Sequence, residues 1–157
     1  MKIEFNGILI DDGELATKLQ RSGAYLLEGK WLPLYEAFYF SEMGILPLEK
    51  EKILAALKKK DKKAEMKFKV FKFLWDRGYI TRESADTKEY FRIYRKGFRM
   101  GEDRTECIMR ILGEKEKYDR KQMEKDLEIA GRLRKELVVA ISGGQIGFIK
   151  INRTRFD

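Results

Sequence analysis

Five consecutive apolar residues, Leu137-Val138-Val139-Ala140-Ile141, constrain this chain more than any other stretch. A strand with no polar alternation is covered on both faces, so the run predicts a central strand. Ser142–Gln145 follows as a turn and Ile146–Ile151 as a last strand. Upstream, Asp119 is placed to cap a helix, with Gln122 at capping-box distance and Met123, Leu127 and Ala130 on its buried side. Thr105–Leu112 reads as a strand. Tyr90–Tyr94 alternates, with Phe91 and Ile93 on one face and Tyr90, Arg92 and Tyr94 on the other. Ala64–Arg77 reads as a helix with an apolar stripe of Val70, Phe71, Leu74 and Trp75, stopped by Gly78. Helix, strands, helix, strand, turn, strand gives a mixed sheet packed with helices.

The first part of the chain is a different pattern. Asn6-Gly7 between Ile3–Phe5 and Ile8–Ile10 is a hairpin signal, because both turn residues tolerate positive φ. Gly13–Arg21 reads as a short helix ending before Gly23, and Ala24–Leu27 as a strand. Pro33 opens a helix with Leu34, Ala37, Phe38 and Ser41 on one face and Gly44 at its end. Pro47 keeps Ile45–Leu48 extended, and Glu49–Lys59 is a helix burying Ile53, Leu54 and Leu57. The run Lys58-Lys59-Lys60-Asp61-Lys62-Lys63 is a boundary or the solvated end of that helix. The expected organisation is a small mixed α/β domain over residues 1–62 and a larger α/β domain over 63–157.

Composition narrows the partners. The net charge is +8, yet residues 1–62 hold ten basic and ten acidic side chains, so residues 63–157 carry the whole excess. A basic second half fits a polyanion, or a lysine-rich solvated surface. Charged residues are 38% of the chain, with lysine and glutamate prominent, which suits ion-pair networks at high temperature. There is no apolar run long enough to span a membrane, no signal-peptide pattern and a single cysteine, Cys107, read as a buried small hydrophobe. These features predict a reducing, cytoplasmic setting. The chain contains no histidine, which leaves few ligands for a metal and no Ser/His/Asp set. No cofactor and no metal are expected.

Three blocks carry a resemblance. Phe73-Leu74-Trp75-Asp76-Arg77-Gly78-Tyr79-Ile80 resembles a helix-to-strand step of the archaeal tRNA-splicing endonuclease family. Phe91-Arg92-Ile93-Tyr94-Arg95-Lys96-Gly97 resembles the strand bearing the family's catalytic tyrosine. Arg132-Leu133-Arg134-Lys135-Glu136-Leu137-Val138-Val139-Ala140-Ile141 resembles the step bearing its catalytic lysine. Order and spacing agree over residues 66–157. The resemblance implies a restriction-endonuclease-like fold and removal of introns from precursor tRNA. The ribose 2′-OH attacks the adjacent phosphate without a metal, leaving a 2′,3′-cyclic phosphate and a 5′-hydroxyl.

That chemistry uses a base near the 2′-OH, an acid for the leaving oxygen and a cation for the charge growing on phosphate. The family assigns these to tyrosine, histidine and lysine. Tyr94 and Lys135 fall on the first and third positions, and Arg104 on the second. A guanidinium stays protonated and donates a proton poorly. Losing general acid–base help costs about 10²–10⁴-fold. Other departures point the same way. Ser84-Ala85-Asp86-Thr87-Lys88-Glu89-Tyr90-Phe91 keeps only the last residue of a glycine-rich family stretch. Glu128 stands where family cutting chains have a base-stacking arginine, and Lys150, with Arg153 nearby, where a second is expected.

The resemblance therefore implies a structural subunit that holds histidine-bearing catalytic relatives in a heterotetramer of two plus two. Tyr94 and Lys135 would be vestigial, and Arg104, Lys150 and Arg153 candidate RNA contacts. The family's assembly places subunit interfaces at the last strand, Phe148, Lys150 and Asn152, and at the turn Gly143-Gly144-Gln145. That turn is normally acidic and enters a basic groove; here it carries no acid. The alternatives are a cutting chain with an atypical site of Tyr94, Lys135 and Arg104, or a stand-alone RNA-binding module. Residue by residue, Tyr94 also suits an ordinary strand position, Lys135 a helix end, and Arg104 an ion pair with Asp103 or Glu106.

Overall fold

The computed structural model describes residues 1–4, 7–84, 89–94 and 105–156. Phe5 and Asn6 of the expected hairpin, residues 85–88, Arg95–Gly97 and Arg104 lie outside the described residues. The chain forms two compact units, Met1–Phe68 and Lys69–Asp157. Among the described residues, no helix is long and apolar enough to cross a membrane.

The first unit holds a three-stranded antiparallel sheet in the order β1 (Ile3–Glu4), β2 (Gly7–Leu9), β3 (Trp31–Leu32). Its helices are α1 (Gly13–Arg21), α2 (Leu34–Glu42), α3 (Lys50–Lys60) and the first turn of α4 (Ala64–Asp76). Asp12 caps α1, its carboxylate accepting from Glu14 N–H at 2.9 Å and Leu15 N–H at 3.2 Å. Gly7 has φ +130°, and a Cβ there would stand 2.2 Å from the Leu32 carbonyl oxygen. Gly7 is the first residue of β2, paired with Glu4, and not a turn residue as the Asn6-Gly7 reading placed it; its missing side chain allows the close approach of β3.

Two other expectations for this unit need correction. Ala24–Leu27 is not a strand; only the single bridge Leu27–Trp31 forms, because a tight reversal with Glu28 and Gly29 at positive φ intervenes. The hydrogen-bonded partner of β2 is Trp31–Leu32, too short for a period to show. And α2 has no single apolar face: every residue from Leu34 to Phe40 is buried. β2 and α3 pack against it, and the Phe38 ring meets Phe68 edge-on at 4.3 Å between centroids.

The second unit is built on a five-stranded sheet in the order β4 (Thr81–Glu83), β5 (Phe91–Tyr94), β6 (Thr105–Gly113), β7 (Glu136–Ser142), β8 (Gly147–Ile151). All neighbours are antiparallel except β6 and β7, which run parallel with α5 (Arg120–Leu133) as their crossover. The apolar run over residues 137–141 lies inside β7, one strand from the edge. The architecture is thus the mixed α/β one expected, a small unit followed by a mixed sheet with helices. β4 was not foreseen; it is three residues long and has no alternation of its own.

One face of the sheet meets α4: the Phe73 ring lies 5.6 Å from that of Phe148, and Trp75 Nε1 donates to the Thr81 carbonyl at 3.1 Å. The other face meets α5. There Ile108, Leu137, Ala130 and Tyr90 form a buried cluster flanked by Leu127, Ile129, Leu133 and Ile151. Tyr90, on the face opposite Phe91 and Ile93 as expected, is only 1% exposed. Arg92 and Tyr94, on the same face of β5, are half-buried.

An acid sits inside this helix–sheet contact. Asp126 of α5 is fully buried. Its carboxylate accepts hydrogen bonds from Tyr90 Oη, from Tyr118 Oη at 2.7 Å, and from Arg110 Nε at 2.6 Å and Nη2 at 2.8 Å. Arg110 also reaches Glu89 at 3.1 Å. Burial pushes the Asp126 carboxyl upward, but the hydrogen bonds from Arg110, Tyr90 and Tyr118 outweigh it and hold it below its ordinary range. Burial and the adjacent Asp126 push Tyr90 up to about 12. Four segments of the unit therefore meet on one carboxylate.

Removing that charge strands a buried guanidinium. Asp126→Asn should destabilise the chain by about 3–5 kcal/mol, read from denaturant unfolding. The pH dependence has a definite sign. A carboxyl with a lowered folded pKa contributes stability that is present above its unfolded value, about 4, and lost as pH falls through its folded value. The wild-type chain should lose stability on acidification below about pH 4 more steeply than Asp126→Asn.

Candidate functional site

Tyr94 and Lys135 fall at one end of the second unit's sheet. In the β5–β6 ladder Ile93 pairs with Cys107 and Tyr94 with Thr105, so Glu106 is an extra residue and the register shifts there. Such a bulge bends the strand and re-aims neighbouring side chains. Tyr94 is half-buried, and its N–H donates to the Ile80 carbonyl at 2.9 Å.

Lys135 arrives from the opposite side of β6. Helix α5 stops at Leu133, and Arg134 takes a left-handed conformation at φ 55°, ψ 42°. Arg134 N–H donates to Gly131 O at 3.1 Å and Lys135 N–H to Ala130 O at 2.9 Å, the paired bonds of a Schellman ending. A non-glycine residue in that region carries about 1–2 kcal/mol of strain. The turn aims Lys135 across the start of the parallel ladder, where its ammonium donates to the Thr105 carbonyl at 2.6 Å.

Thr105 is therefore the meeting point. Tyr94 is its cross-strand partner and Lys135 its side-chain partner. Arg104 precedes it in the chain but lies outside the described residues. The structure brings Tyr94 and Lys135 to the same strand end.

Of the candidate RNA contacts, Lys150 and Arg153 are already matched. Lys150 Nζ lies 2.7 Å from Glu136, and Arg153 Nη2 lies 2.7 Å from Glu124. Both pairs are about half exposed, and such pairs contribute roughly 0–1 kcal/mol, so a phosphate competes with a weak rival. Glu128 is exposed and pairs with Arg132 at 3.6 Å. The turn after β7 places Gly144 and Gln145 in solvent and Gly143 half-buried. A Cβ on Gly143 would stand 3.0 Å from the Glu114 carboxylate, so an acid lies beside a turn that has none of its own. Strand β8 is an edge: β7 covers one side and, among the described residues, no strand covers the other. Phe148 is 38% exposed and Ile149 50%, and Asn152 continues beyond them in solvent.

Cys107 is buried, and burial with Glu106 and Glu136 nearby pushes its thiol up to about 12. It stays protonated at neutral pH and is no nucleophile. Among the described residues, no three His, Cys, Asp or Glu side chains gather as metal ligands would.

Sequence reasoning missed the Asp126 cluster that braces this region. The signal was present: Asp126 interrupts the apolar stripe of Met123, Leu127 and Ala130, and Arg110 interrupts that of Ile108 and Leu112. Charges of opposite sign at core-facing positions of two neighbouring elements imply each other.

A family model described as tRNA intron endonuclease, catalytic C-terminal domain, matches residues 64–148. The tRNA-splicing endonuclease of Pyrococcus furiosus is 30% identical over 141 residues, covering 83% of this chain and 81% of that protein. That of Pyrococcus abyssi is 30% identical over 135 residues, covering 80% and 77%. That of Nanoarchaeum equitans is 26% identical over 140 residues, covering 81% and 91%. The matched span contains α4, the bulged β5–β6 ladder, α5 and the step that aims Lys135. With a family model over more than half its length and archaeal relatives along most of it, the chain belongs to the tRNA intron endonuclease family.

Proposed function

We propose that this chain is the structural subunit of a heteromeric tRNA-splicing endonuclease, holding histidine-bearing relatives that make the cuts. The observation that carries the reading is the complete absence of histidine. In the reaction a base takes the proton of the ribose 2′-OH, the O2′–P bond forms, the P–O5′ bond breaks, and the departing 5′-oxygen takes a proton. Of those tasks, the last falls to a histidine in the family, and this chain has none. Arginine holds its proton at any working pH, and lysine's ammonium is engaged with the Thr105 carbonyl. A cation meant for phosphate here fastens the start of β6 to the start of β7.

The assembly surface on this reading is the β8 edge with Phe148, Lys150 and Asn152, and the turn Gly143-Gly144-Gln145. An edge strand adds readily to another sheet, with main-chain hydrogen bonds supplying affinity. Glu114 beside Gly143 supports docking of the turn into a basic groove, since it brings the negative charge that residues 142–147 lack. The full assembly would contain two copies of this chain and two of its partner, acting on precursor tRNA.

Cleavage assays decide the matter. The purified chain should leave a bulge-helix-bulge precursor intact, and it should co-purify with a relative that keeps the histidine. In the reconstituted enzyme, Tyr94→Phe and Lys135→Arg should leave the single-turnover rate unchanged. A fall of about three orders of magnitude would instead make this a cutting chain. Cleavage by the chain alone refutes the structural role outright.

A further inference from the structure

The lysine run at the junction of α3 and α4 is not used by the function proposed above. Residues 58–67 hold six lysines, Lys58, Lys59, Lys60, Lys62, Lys63 and Lys67, against two acids, Asp61 and Glu65. That is a net +4 in ten residues, against a net −3 over residues 1–57. All ten residues lie in the first unit.

The two acids are occupied within the junction. Asp61 is an extended residue between the helices, with φ −151° and ψ 117°. Its carboxylate accepts from Lys63 N–H at 2.9 Å and from the Lys67 ammonium. Burial pushes its pKa upward, but these bonds and the nearby lysines hold it below the ordinary range, so it stays charged and keeps the junction fixed. Glu65 faces Lys58 at 3.2 Å across two exposed side chains, a weak pair. Lys58, Lys59, Lys60, Lys62 and Lys63 are all exposed.

Helix stability accounts for only part of this arrangement. Lys58, Lys59 and Lys60 fall in the last turn of α3, where the macrodipole favours cations. Lys62 and Lys63 do not have that reason. They stand just ahead of α4, at the end whose partial charge is positive and repels them. A fixed junction that gathers cations at a helix N-terminus is complementary to phosphate. Because the junction is already ordered, binding there costs less conformational entropy than binding by a flexible basic tail.

We infer that the α3–α4 junction binds the sugar–phosphate backbone of the RNA the family cuts, giving the first unit its own contact to precursor tRNA. The inference needs the family's RNA substrate but not the structural role proposed above, so the two fail separately. It is tested on the full-length chain with an intron-containing precursor-tRNA transcript, by measuring affinity across a salt series. Replacing Lys59, Lys60 and Lys62 together by Gln should lower the magnitude of the slope of log K against log salt by about 2. The same replacement at Lys115, Lys117 and Lys121, exposed lysines of the second unit, should leave the slope nearly unchanged. Unaltered melting temperatures establish that both variants fold. Equal slope changes in the two variants would overturn the inference, reducing the junction to unspecific charge. So would no detectable binding by the wild-type chain, or loss of a protein partner with RNA binding intact. If the lysine effect appears while the chain also cuts RNA alone, the inference stands and the structural role falls.

Discussion

The second unit depends on a single buried carboxylate. Burying an ion is costly unless every lone pair is met, and Asp126 meets that condition with Arg110, Tyr90 and Tyr118. The partners come from β6, from the residue preceding β5, and from the segment leading into α5. An apolar core tolerates sliding of a helix over a sheet; a satisfied ionic cluster has one geometry and resists it. The two elements so fixed are those that present Tyr94 and Lys135: Tyr90 opens the strand that ends in Tyr94, and Asp126 lies on the helix whose ending aims Lys135.

Much of this could be read in the sequence, for physical reasons that differ between elements. β7, α4 and α5 announced themselves because burial imposes a period or an unbroken apolar run. Asp119 did cap α5, with Gln122 N–H donating to it at 2.8 Å. Strands of two or three residues, such as β3 and β4, have no period to find; their pairing is decided by neighbours distant in sequence. Ala24–Leu27 has the composition of a strand but enters a tight reversal. Alternation sorted Tyr90 onto the face opposite Phe91 and Ile93 without showing that it is buried there. At the site, the family resemblance singled out Tyr94 and Lys135, and the structure gives them a common neighbour in Thr105. What one dimension could not supply was the ion-pair partners of Lys150 and Arg153, or the Glu114 carboxylate beside Gly143.

A scaffold and its chemistry are under separate constraints. The helix ending at Arg134, the bulge at Glu106 and the parallel ladder all serve to hold a lysine and a tyrosine at one strand end. None requires that a proton be transferred there. A hydrogen bond from Lys135 to a backbone carbonyl gives that lysine a role in cohesion that survives without catalysis.

The parallel pairing of β6 with β7 has a kinetic consequence. Antiparallel neighbours can zip from a short turn, but this ladder waits until a whole helix has formed and crossed back. Lys135 and Thr105 are thirty residues apart in the chain. Their bond closes a long loop and must come after most of the chain-ordering entropy has been lost. The strand end where Tyr94 and Lys135 meet therefore cannot close before α5 has been made.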